Sequence, residues 1–198
     1  MSIAFTHQGS AAAAPATAPS APSSDEMLVA RIAGGDRLAM QTLFARYRTP
    51  VYRWLLRLVG NETVAEDLLS DVFLDVWRQA GRFQARSAVS TWLLAIARFK
   101  ALSARRSRKD AELDETIEAT VADSTDNPEV VLQKKSRDQF VRTALTTLSL
   151  EHRDIIDLVY YHDKCVDECA QILGVPSGTV KTRMFYARKK LAELVQAA

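Results

Sequence analysis

The segment 64–78 constrains the fold of this chain more than any other feature of its sequence. Its apolar side chains recur every three or four residues, a spacing that places them on one wide face of a helix. They are Val64, Ala65, Leu68, Leu69, Val72, Phe73, Val76 and Trp77. The same spacing predicts helices within 28–44 (interrupted at Gly34-Gly35), 51–59, 92–102 and 133–198. Because no segment alternates with the period of two that is typical of a strand, the sequence predicts an all-α fold.

Charge is distributed unevenly along the 198 residues and divides the chain into parts. Residues 42–109 carry 13 Lys and Arg against 5 Asp and Glu, residues 110–129 carry 8 acidic and no basic residues, and residues 133–198 carry 11 basic and 8 acidic residues. We therefore predict two small helical domains, at 25–109 and 133–198, joined by an acidic linker at 110–132. Residues 10–24 contain only Ala, Pro, Ser and Thr, so we expect 1–24 to be a disordered tail.

Composition argues against several classes of protein. No apolar run approaches the about 20 residues that span a bilayer, and the N-terminus lacks the order of basic, apolar and cleavage-site segments of a signal peptide. The two cysteines are too few and too close together for a disulfide framework. Scattered Ser, His and Asp residues form no recognisable catalytic constellation. We therefore expect a cytoplasmic protein that is not an enzyme, does not insert into a membrane and needs no metal or cofactor.

Residues 166–190 have the pattern of a helix–turn–helix. A short amphipathic helix ends at Gly174, which suits a helix C-cap, and Pro176 precedes the next helix, for which Ser177 is a suitable N-cap. Between Ser177 and Lys190 the second helix has an apolar back, five basic residues and no acidic residue. Basic and hydroxyl side chains on such a helix favour binding in the DNA major groove. A basic, solvated helix that caps a bundle is the alternative.

A second basic surface is expected on the helix that begins near Trp92. Residues 98–109 include six basic residues and no acidic residue, and Phe83, Trp92 and Phe99 lie nearby. Basic groups attract phosphate regardless of sequence, and exposed aromatic rings stack on unpaired bases, so this combination favours melted or single-stranded DNA. Trp92 and Phe99 could equally be core residues, whereas Phe83 lies beside a polar loop and is the better candidate for exposure.

The helix 64–78 carries an acidic stripe inside this otherwise basic domain. Asp67, Asp71 and Asp75 are four residues apart and therefore align on one face. Such a stripe would repel DNA, so it predicts a basic protein partner. A solvated face that balances a basic fold is the alternative.

Cys165 and Cys169 allow two interpretations, redox or metal chemistry and structural thiols. Cys165 lies at a predicted helix N-terminus beside Lys164, with Glu168 in the position of a capping box. Cys169 lies on the apolar face of that helix and behaves as a small hydrophobic residue. Even with His162 there are three potential ligands, fewer than the four of a structural zinc site. We expect structural thiols, with redox chemistry as the alternative.

Two runs of the sequence, TVAEDLLSDVFLDVWRQAGRF…STWLLAIARFKALSARRSRK and VDECAQILGVPSGTVKTRMFYARKKL, closely resemble the extracytoplasmic-function group of sigma-70-type sigma factors in the expected order. The resemblance covers about residues 25–198 and implies sigma region 2 at 25–109 and sigma region 4 at 133–198. It implies an alternative sigma factor that binds core RNA polymerase, recognises promoter DNA and opens it for transcription initiation. It also implies an anti-sigma factor as a further partner.

The resemblance implies roles for individual residues. Binding to the clamp helices of the largest polymerase subunit would involve Asp67, Asp71, Phe73, Asp75 and Trp77, and the polymerase flap would be a second contact. The −10 element would be melted and captured by Arg82, Phe83, Arg86, Ser87, Thr91, Trp92, Arg98, Lys100, Arg105 and Arg106. The −35 element would be read by Ser177, Thr179, Lys181, Thr182, Arg183, Tyr186, Arg188 and Lys189.

Two positions of the basic helix depart from the family pattern, since Phe99 stands where the family often has Asn and Ser103 where it often has Asp. Two other functions are compatible with parts of the sequence. A sigma-like module that only sequesters an anti-sigma protein would need neither basic helix. A stand-alone helix–turn–helix regulator would leave the acidic stripe unexplained.

Overall fold

The structure, a computed structural model, describes residues 24–112 and 147–196. The helices are α1 (Ser24–Ala33), α2 (Arg37–Val59), α3 (Glu62–Gln79), α4 (Val89–Glu112), α5 (Leu150–Tyr160), α6 (Val166–Leu173) and α7 (Ser177–Gln196), with a short 3-10 turn at Ala80–Arg82. These two ranges contain no strand, and the predicted all-α fold is confirmed. We refer to residues 24–112 as the N-terminal unit and to residues 147–196 as the C-terminal unit.

Two expected segments fall mostly outside the described residues. Of the expected tail 1–24, only Ser24 is described, and it is the first residue of α1. Of the expected linker 110–132, only 110–112 are described, as the last residues of α4. In the parts of the chain that the structure describes, no helix is long and apolar enough to cross a membrane.

Local signals in the sequence determine where the helices of the N-terminal unit begin and end. The Asp36 side chain accepts hydrogen bonds from the N–H groups of Leu38 and Ala39 at the start of α2 (2.9 and 3.1 Å). Asn61 caps α3 in the same way, through the N–H of Val64 at 3.0 Å. Between these helices Gly60 has a φ of 68°, a left-handed conformation that glycine adopts without a Cβ clash.

Helix α2 continues through Pro50 as one helix, so the apolar segments around 38–44 and 51–59 belong to a single element. A proline inside a helix removes one backbone hydrogen bond and strains the preceding turn. Four residues that follow Pro50 are buried, and their packing offsets this cost: Val51, Trp54, Leu55 and Leu58. Tertiary packing therefore overrides the local signal for a helix break.

The core of the N-terminal unit lies between α2, α3 and α4, with α1 packed across them. Trp54 is its largest fully buried side chain, and its indole N–H donates a hydrogen bond to the carbonyl of Leu94 at 3.3 Å. Helix α1 is held by Asp25, whose carboxylate contacts Arg46 and the hydroxyl of Tyr47 on α2. This packing buries the apolar face of α3 and leaves its acidic face outside.

In the C-terminal unit, α6 and α7 form the predicted helix–turn–helix, and α5 packs against α7. Gly174 ends α6 with a φ of 66°, as expected for a C-cap glycine. Ser177 is the first residue of α7 rather than its N-cap, because the carbonyl of Pro176 accepts the hydrogen bonds from Thr179 N–H and Val180 N–H (2.9 and 3.2 Å). The predicted start of α7 was thus one residue late.

The two units pack together, with α6 lying against α4. Buried apolar residues of both units form one contiguous cluster, to which the C-terminal unit contributes Ile155, Leu158, Cys169, Ile172, Leu173 and Val180. The N-terminal half of α4 therefore lies at the junction of the units. The sequence assigned this part of α4 to DNA binding.

Candidate nucleic-acid and protein interfaces

The junction between the units contains a hydrogen-bonded cluster around Glu168 of α6. The hydroxyl of Thr91 on α4 is 1% exposed by residue and donates to Glu168 Oε1 at 2.6 Å. Lys164 Nζ donates to the same oxygen at 3.0 Å and to Ser90 Oγ at 2.6 Å. Burial by itself would raise the pKa of Glu168, but the hydrogen bonds from Thr91, the Cys165 N–H and Lys164 hold it at about 2. Glu168 is therefore ionised at neutral pH and ties α4 to α6.

A second polar cluster joins α2 to the end of α5. Arg57 of α2 forms an ion pair with the buried Asp157 and lies over the ring of Tyr161, 3.9 Å from its centroid. His162 Nε2 is 3.6 Å from Asp157 Oδ2, and its ring meets Trp54 edge-on at 5.7 Å. Burial and the charges of Arg57 and Lys164 lower the pKa of His162 to about 4, so this imidazole is neutral at pH 7. A basic residue of the N-terminal unit is thus covered by an acidic residue of the C-terminal unit.

A third polar contact between the units joins Arg98 of α4 to Asp154 of α5. Arg98 Nε lies 3.8 Å from Asp154 Oδ2, a long separation for a pair in which Asp154 is buried. Burial raises the pKa of Asp154 to about 6, although the positive charges of Arg98 and Arg105 oppose the rise. The carboxylate is therefore only partly compensated by its partners.

Because the pKa of Asp154 is raised, the difference in the free energy of unfolding between the wild-type chain and Asp154→Asn depends on pH. A folded-state pKa above the unfolded value means that the folded chain binds the proton more tightly, so protonation of Asp154 stabilises the folded state as the pH falls below 6. Relative to Asp154→Asn, we expect the wild-type free energy of unfolding to be about 1 kcal/mol larger at pH 5 than at pH 7.5. Urea denaturation of both proteins at the two pH values measures this difference. A difference of zero or of opposite sign would contradict the burial of an ionisable Asp154.

The residues expected to bind the −10 element lie along the 80–88 segment and α4. Phe83 and Trp92 are half-buried and pack against each other at a tilt, with ring centroids 4.9 Å apart and planes at 40°. The structure leaves several of the expected residues at or near the surface, namely Arg82, Arg86, Ser87, Arg105 and Arg106. Thr91 and Arg98 are instead engaged by the C-terminal unit, and Lys100 forms an ion pair with Asp75 of α3 at 2.9 Å.

The acidic stripe of α3 is only partly free for a partner. Asp67 and Asp71 are exposed, and among the described residues neither has a basic nitrogen within 4.0 Å, whereas Asp75 is paired with Lys100. Trp77 is partly exposed. Phe73 is 4% exposed and packs edge-on against Phe44, with centroids 4.8 Å apart, so it supports this face from beneath.

The sequence interpretation did not name Leu74, which is exposed three residues after Asp71 on the outer side of α3. Positions three apart on a helix are neighbours on its surface. The outer side of α3 therefore presents an apolar side chain beside Asp67 and Asp71, which have no basic partner within 24–112 or 147–196. The signal in the sequence was a leucine that falls outside the apolar face of an amphipathic helix.

Helix α7 presents the polar face that the sequence predicted. Lys181, Thr182, Tyr186 and Lys189 are exposed, while Ser177 and Thr179 are half-buried at its start. Two arginines of this face are held by the C-terminal unit itself. Arg183 forms an ion pair with Glu151 at 2.7 Å, and Arg188 Nε donates to the Tyr160 hydroxyl at 3.1 Å. These contacts orient the two arginines rather than bury them.

Phe185 is a residue of this surface that the sequence interpretation missed. It is 64% exposed, and its ring meets that of Tyr186 edge-on at 5.5 Å. Its side chain lines a shallow groove with Lys181, Arg188 and Lys189. A ring on a basic helix offers an apolar contact for a thymine methyl group in the major groove. The signal was its place outside the apolar stripe of α7.

The two cysteines have different environments. Glu168 Oε2 accepts a hydrogen bond from the N–H of Cys165 at 3.0 Å, which confirms the predicted capping contact, and the Cys165 side chain is exposed. Cys169 is buried, and burial raises the pKa of its thiol to about 11. A protonated, buried thiol is a weak nucleophile. No group of three or more His, Cys, Asp or Glu residues in the described ranges could hold a metal ion.

The chain is similar to known proteins over most of its length. Residues 43–111 match the family model for sigma-70 region 2, and residues 144–193 match that for sigma-70 region 4. The chain is 35% identical over 177 residues to the ECF RNA polymerase sigma factor SigM of Mycobacterium tuberculosis, covering 87% of this chain and 85% of that protein. It is 29% identical to the ECF RNA polymerase sigma factor SigL of the same species, covering 85% and 97%.

Solved structures show the same fold. One is the sigma factor RpoE in complex with the anti-sigma factor NepR from Bartonella quintana, with a TM-score of 0.63, 26% identity and coverage of 79% of this chain and 96% of that one. Another is CnrH in complex with the cytosolic domain of CnrY, with a TM-score of 0.64, 24% identity and coverage of 88% and 99%.

Proposed function

The chain belongs to the extracytoplasmic-function group of sigma-70-type RNA polymerase sigma factors, and from this premise we propose how its surfaces divide the work of promoter recognition. Sigma region 2 extends over 25–109, sigma region 4 over 133–198, and 110–132 joins them. Proteins of this family are transcription initiation factors and not enzymes, and we assign no catalytic residue, metal or cofactor to this chain. We place its activity in the cytoplasm, where bacterial promoter DNA is found.

Helix α7 is assigned to the duplex of the −35 element. Its exposed face combines Lys181, Thr182, Tyr186 and Lys189 with the ring of Phe185. Lysines bind phosphates and guanine edges, hydroxyls adapt to several bases, and the phenyl ring suits a thymine methyl group. Because Arg183 and Arg188 are already oriented by Glu151 and Tyr160, they can bind DNA with little loss of side-chain entropy.

The surface of α4 and the preceding segment is assigned to the melted −10 element. The Phe83–Trp92 pair provides stacking rings, and exposed arginines on both sides provide charge for the strand's phosphates. Thr91 and Arg98 take part only after the C-terminal unit has moved off α4, because Glu168 and Asp154 occupy them in this arrangement. Full use of the −10 surface therefore requires the units to separate.

The outer face of α3 is assigned to core polymerase, and the single observation that carries the assignment is that Asp67 and Asp71 are exposed and have no basic partner among the residues that the structure describes. Both lie in a unit whose remaining surface is strongly basic, so a nucleic-acid ligand would avoid this face. A basic protein surface with an apolar recess would pair with the carboxylates and with Leu74. We also propose an anti-sigma partner, because the solved relative RpoE is complexed with the anti-sigma factor NepR.

Charge reversal at Asp71 tests whether polymerase and duplex DNA bind to separate surfaces of the chain. We expect Asp71→Lys to weaken binding to core polymerase at least about tenfold, about 1.4 kcal/mol, because it places like charges in contact. Binding to a −35 duplex selected with the wild-type chain should be unchanged. The matched control is Glu66→Lys, an equal charge change on another face of α3. Fluorescence anisotropy with labelled chain measures both affinities.

Two outcomes of this experiment would count against the proposal. If Asp71→Lys and Glu66→Lys weaken polymerase binding equally, the effect is one of net charge and the stripe is not a docking face. If Asp71→Lys lowers polymerase and duplex binding together, the two activities do not reside on separate surfaces. DNA binding by a wild-type chain that fails to bind core polymerase would instead support a stand-alone regulator.

A further inference from the structure

Phe99 of α4 is the most exposed large apolar side chain among the described residues, with 72% of its surface accessible. The sequence left open whether this ring belongs to the core, and the structure places it in solvent. A single exposed apolar residue is ordinary on a protein surface and by itself indicates nothing. Its neighbours on α4 give this one a specific environment.

The residues on either side of Phe99 reach away from it in opposite directions. Arg98 extends to Asp154 of the C-terminal unit, and Lys100 extends to Asp75 of α3. Phe99 therefore points outward between the two partners of α4, where neither packed element covers it. Its exposure persists even with the C-terminal unit docked on the same helix.

The face that Phe99 occupies also carries the aromatic pair assigned to the melted strand. Trp92 lies seven residues, two turns, before Phe99, so the two side chains share one face about 10 Å apart along the helix axis. Trp92 is in turn packed against Phe83. A distance of about 10 Å corresponds to about three stacked bases at 3.4 Å each. The distance between Trp92 and Phe99 therefore matches the length of a short single strand.

The charge around this line of rings favours an anionic ligand. Between Val89 and Arg108, α4 contains no acidic residue. Arg106, seven residues after Phe99, is exposed on the same face, and its neighbour Arg105 is exposed as well. A protein partner attracted by the ring alone would not need these charges, whereas a nucleic-acid strand uses both, with phosphates on the arginines and a base on the ring.

We propose that Phe99 is an additional stacking residue for the opened promoter strand, binding an unpaired base beyond the Phe83–Trp92 pair. The inference rests on the proposed function of α4 and adds a residue to it. Because a phenyl ring has no hydrogen-bonding group, it contacts the face of a base and not its edges. Phe99 therefore adds affinity for single-stranded DNA with little preference for the identity of the base.

The test compares Phe99→Ala, Phe99→Trp and the control Leu38→Ala in the full-length chain. Leu38 is similarly exposed but lies at the start of α2, so both alanine variants remove one exposed apolar side chain. Binding to fluorescein-labelled dT12 and to a random 12-nucleotide pool is measured by anisotropy at low salt. We expect Phe99→Ala to weaken both about tenfold, within the range for loss of one stacked base. Phe99→Trp should bind at least as well as the wild-type chain, and Leu38→Ala should bind like it.

Each of the other outcomes contradicts the inference or the assignment on which it rests. Unchanged binding by Phe99→Ala overturns the inference. Unchanged strand binding with weaker binding to core polymerase also overturns it and makes the ring a protein contact. Weaker binding to dT12 but not to the random pool contradicts the expected lack of base preference. If the wild-type chain itself shows no salt-dependent binding to either strand, the assignment of α4 to melted DNA fails, and the inference fails with it.

Discussion

Trp54→Ala is expected to lower the free energy of unfolding by about 3–5 kcal/mol, the usual cost of removing a large aromatic ring from a core. Trp54 is 1% exposed and is the largest fully buried side chain among the described residues. Its indole N–H donates to the Leu94 carbonyl, and its ring contacts His162 of the C-terminal unit. Since small domains are stable by only about 5–15 kcal/mol, a large share of the stability of the N-terminal unit would be lost.

The matched variant is Trp54→Phe, which keeps an aromatic ring but removes the hydrogen bond to Leu94. We expect this substitution to cost clearly less than Trp54→Ala. Urea denaturation followed by circular dichroism compares the three chains. A loss of less than about 1 kcal/mol for Trp54→Ala would be typical of a surface position and would contradict the packing of α2 against α4 and the C-terminal unit.

Glu168→Ala is expected to separate the two units and to destabilise the chain by about 3 kcal/mol. Removing this carboxylate leaves Lys164 buried without its ion-pair partner, and breaking one side of a buried pair costs about 3–5 kcal/mol. We expect a cost at the lower end of this range because 26% of the Glu168 side-chain surface is exposed, so that solvent partly screens its charge. The substitution also removes the acceptor of the Thr91 hydroxyl and the cap of α6.

The arrangement of the units is measured by the distance between two spin labels, one at position 78 in α3 and one at position 190 in α7. The labels are attached to a chain lacking Cys165 and Cys169. The wild-type chain should give one narrow distance, and Glu168→Ala should give a broad distribution shifted to longer distances. Asp167→Ala is the control, since Asp167 is exposed on the same turn of α6. A narrow distribution in Glu168→Ala would show that the apolar contacts alone hold the units together.

The helical elements follow from the sequence because their signals are local. The apolar periodicity of α3 depends on neighbouring residues, and so does the C-cap at Gly174. The sequence predicted separate helices within 28–44 and 51–59, but the buried packing of Trp54 and its neighbours keeps α2 continuous through Pro50. Periodicity placed Phe73 on the apolar face of α3, where it is buried against Phe44, whereas the family resemblance implied a contact between Phe73 and polymerase.

The junction of the units could not be derived from sequence patterns. Thr91 and Glu168 are 77 residues apart, and Ser90 and Lys164 are 74 apart, so no local spacing relates them. The family resemblance implied a DNA-binding role for Thr91, and the capping-box pattern predicted Glu168 at the start of a helix. Only the packing of α6 on α4 shows that the hydroxyl and the carboxylate bind each other. If Thr91 binds the opened strand as we propose, strand capture competes with the docked arrangement.

We propose that this chain directs polymerase to promoters through separate surfaces for duplex DNA, melted DNA and polymerase. The most direct measurement is transcription in vitro by core polymerase on genomic DNA of the source organism, with and without the chain, followed by mapping of transcript 5′ ends. We predict a set of 5′ ends that appears only with the chain and shares sequence elements near −10 and −35, and that is lost with Asp71→Lys. A chain that binds core polymerase yet produces no new 5′ ends would contradict the claim.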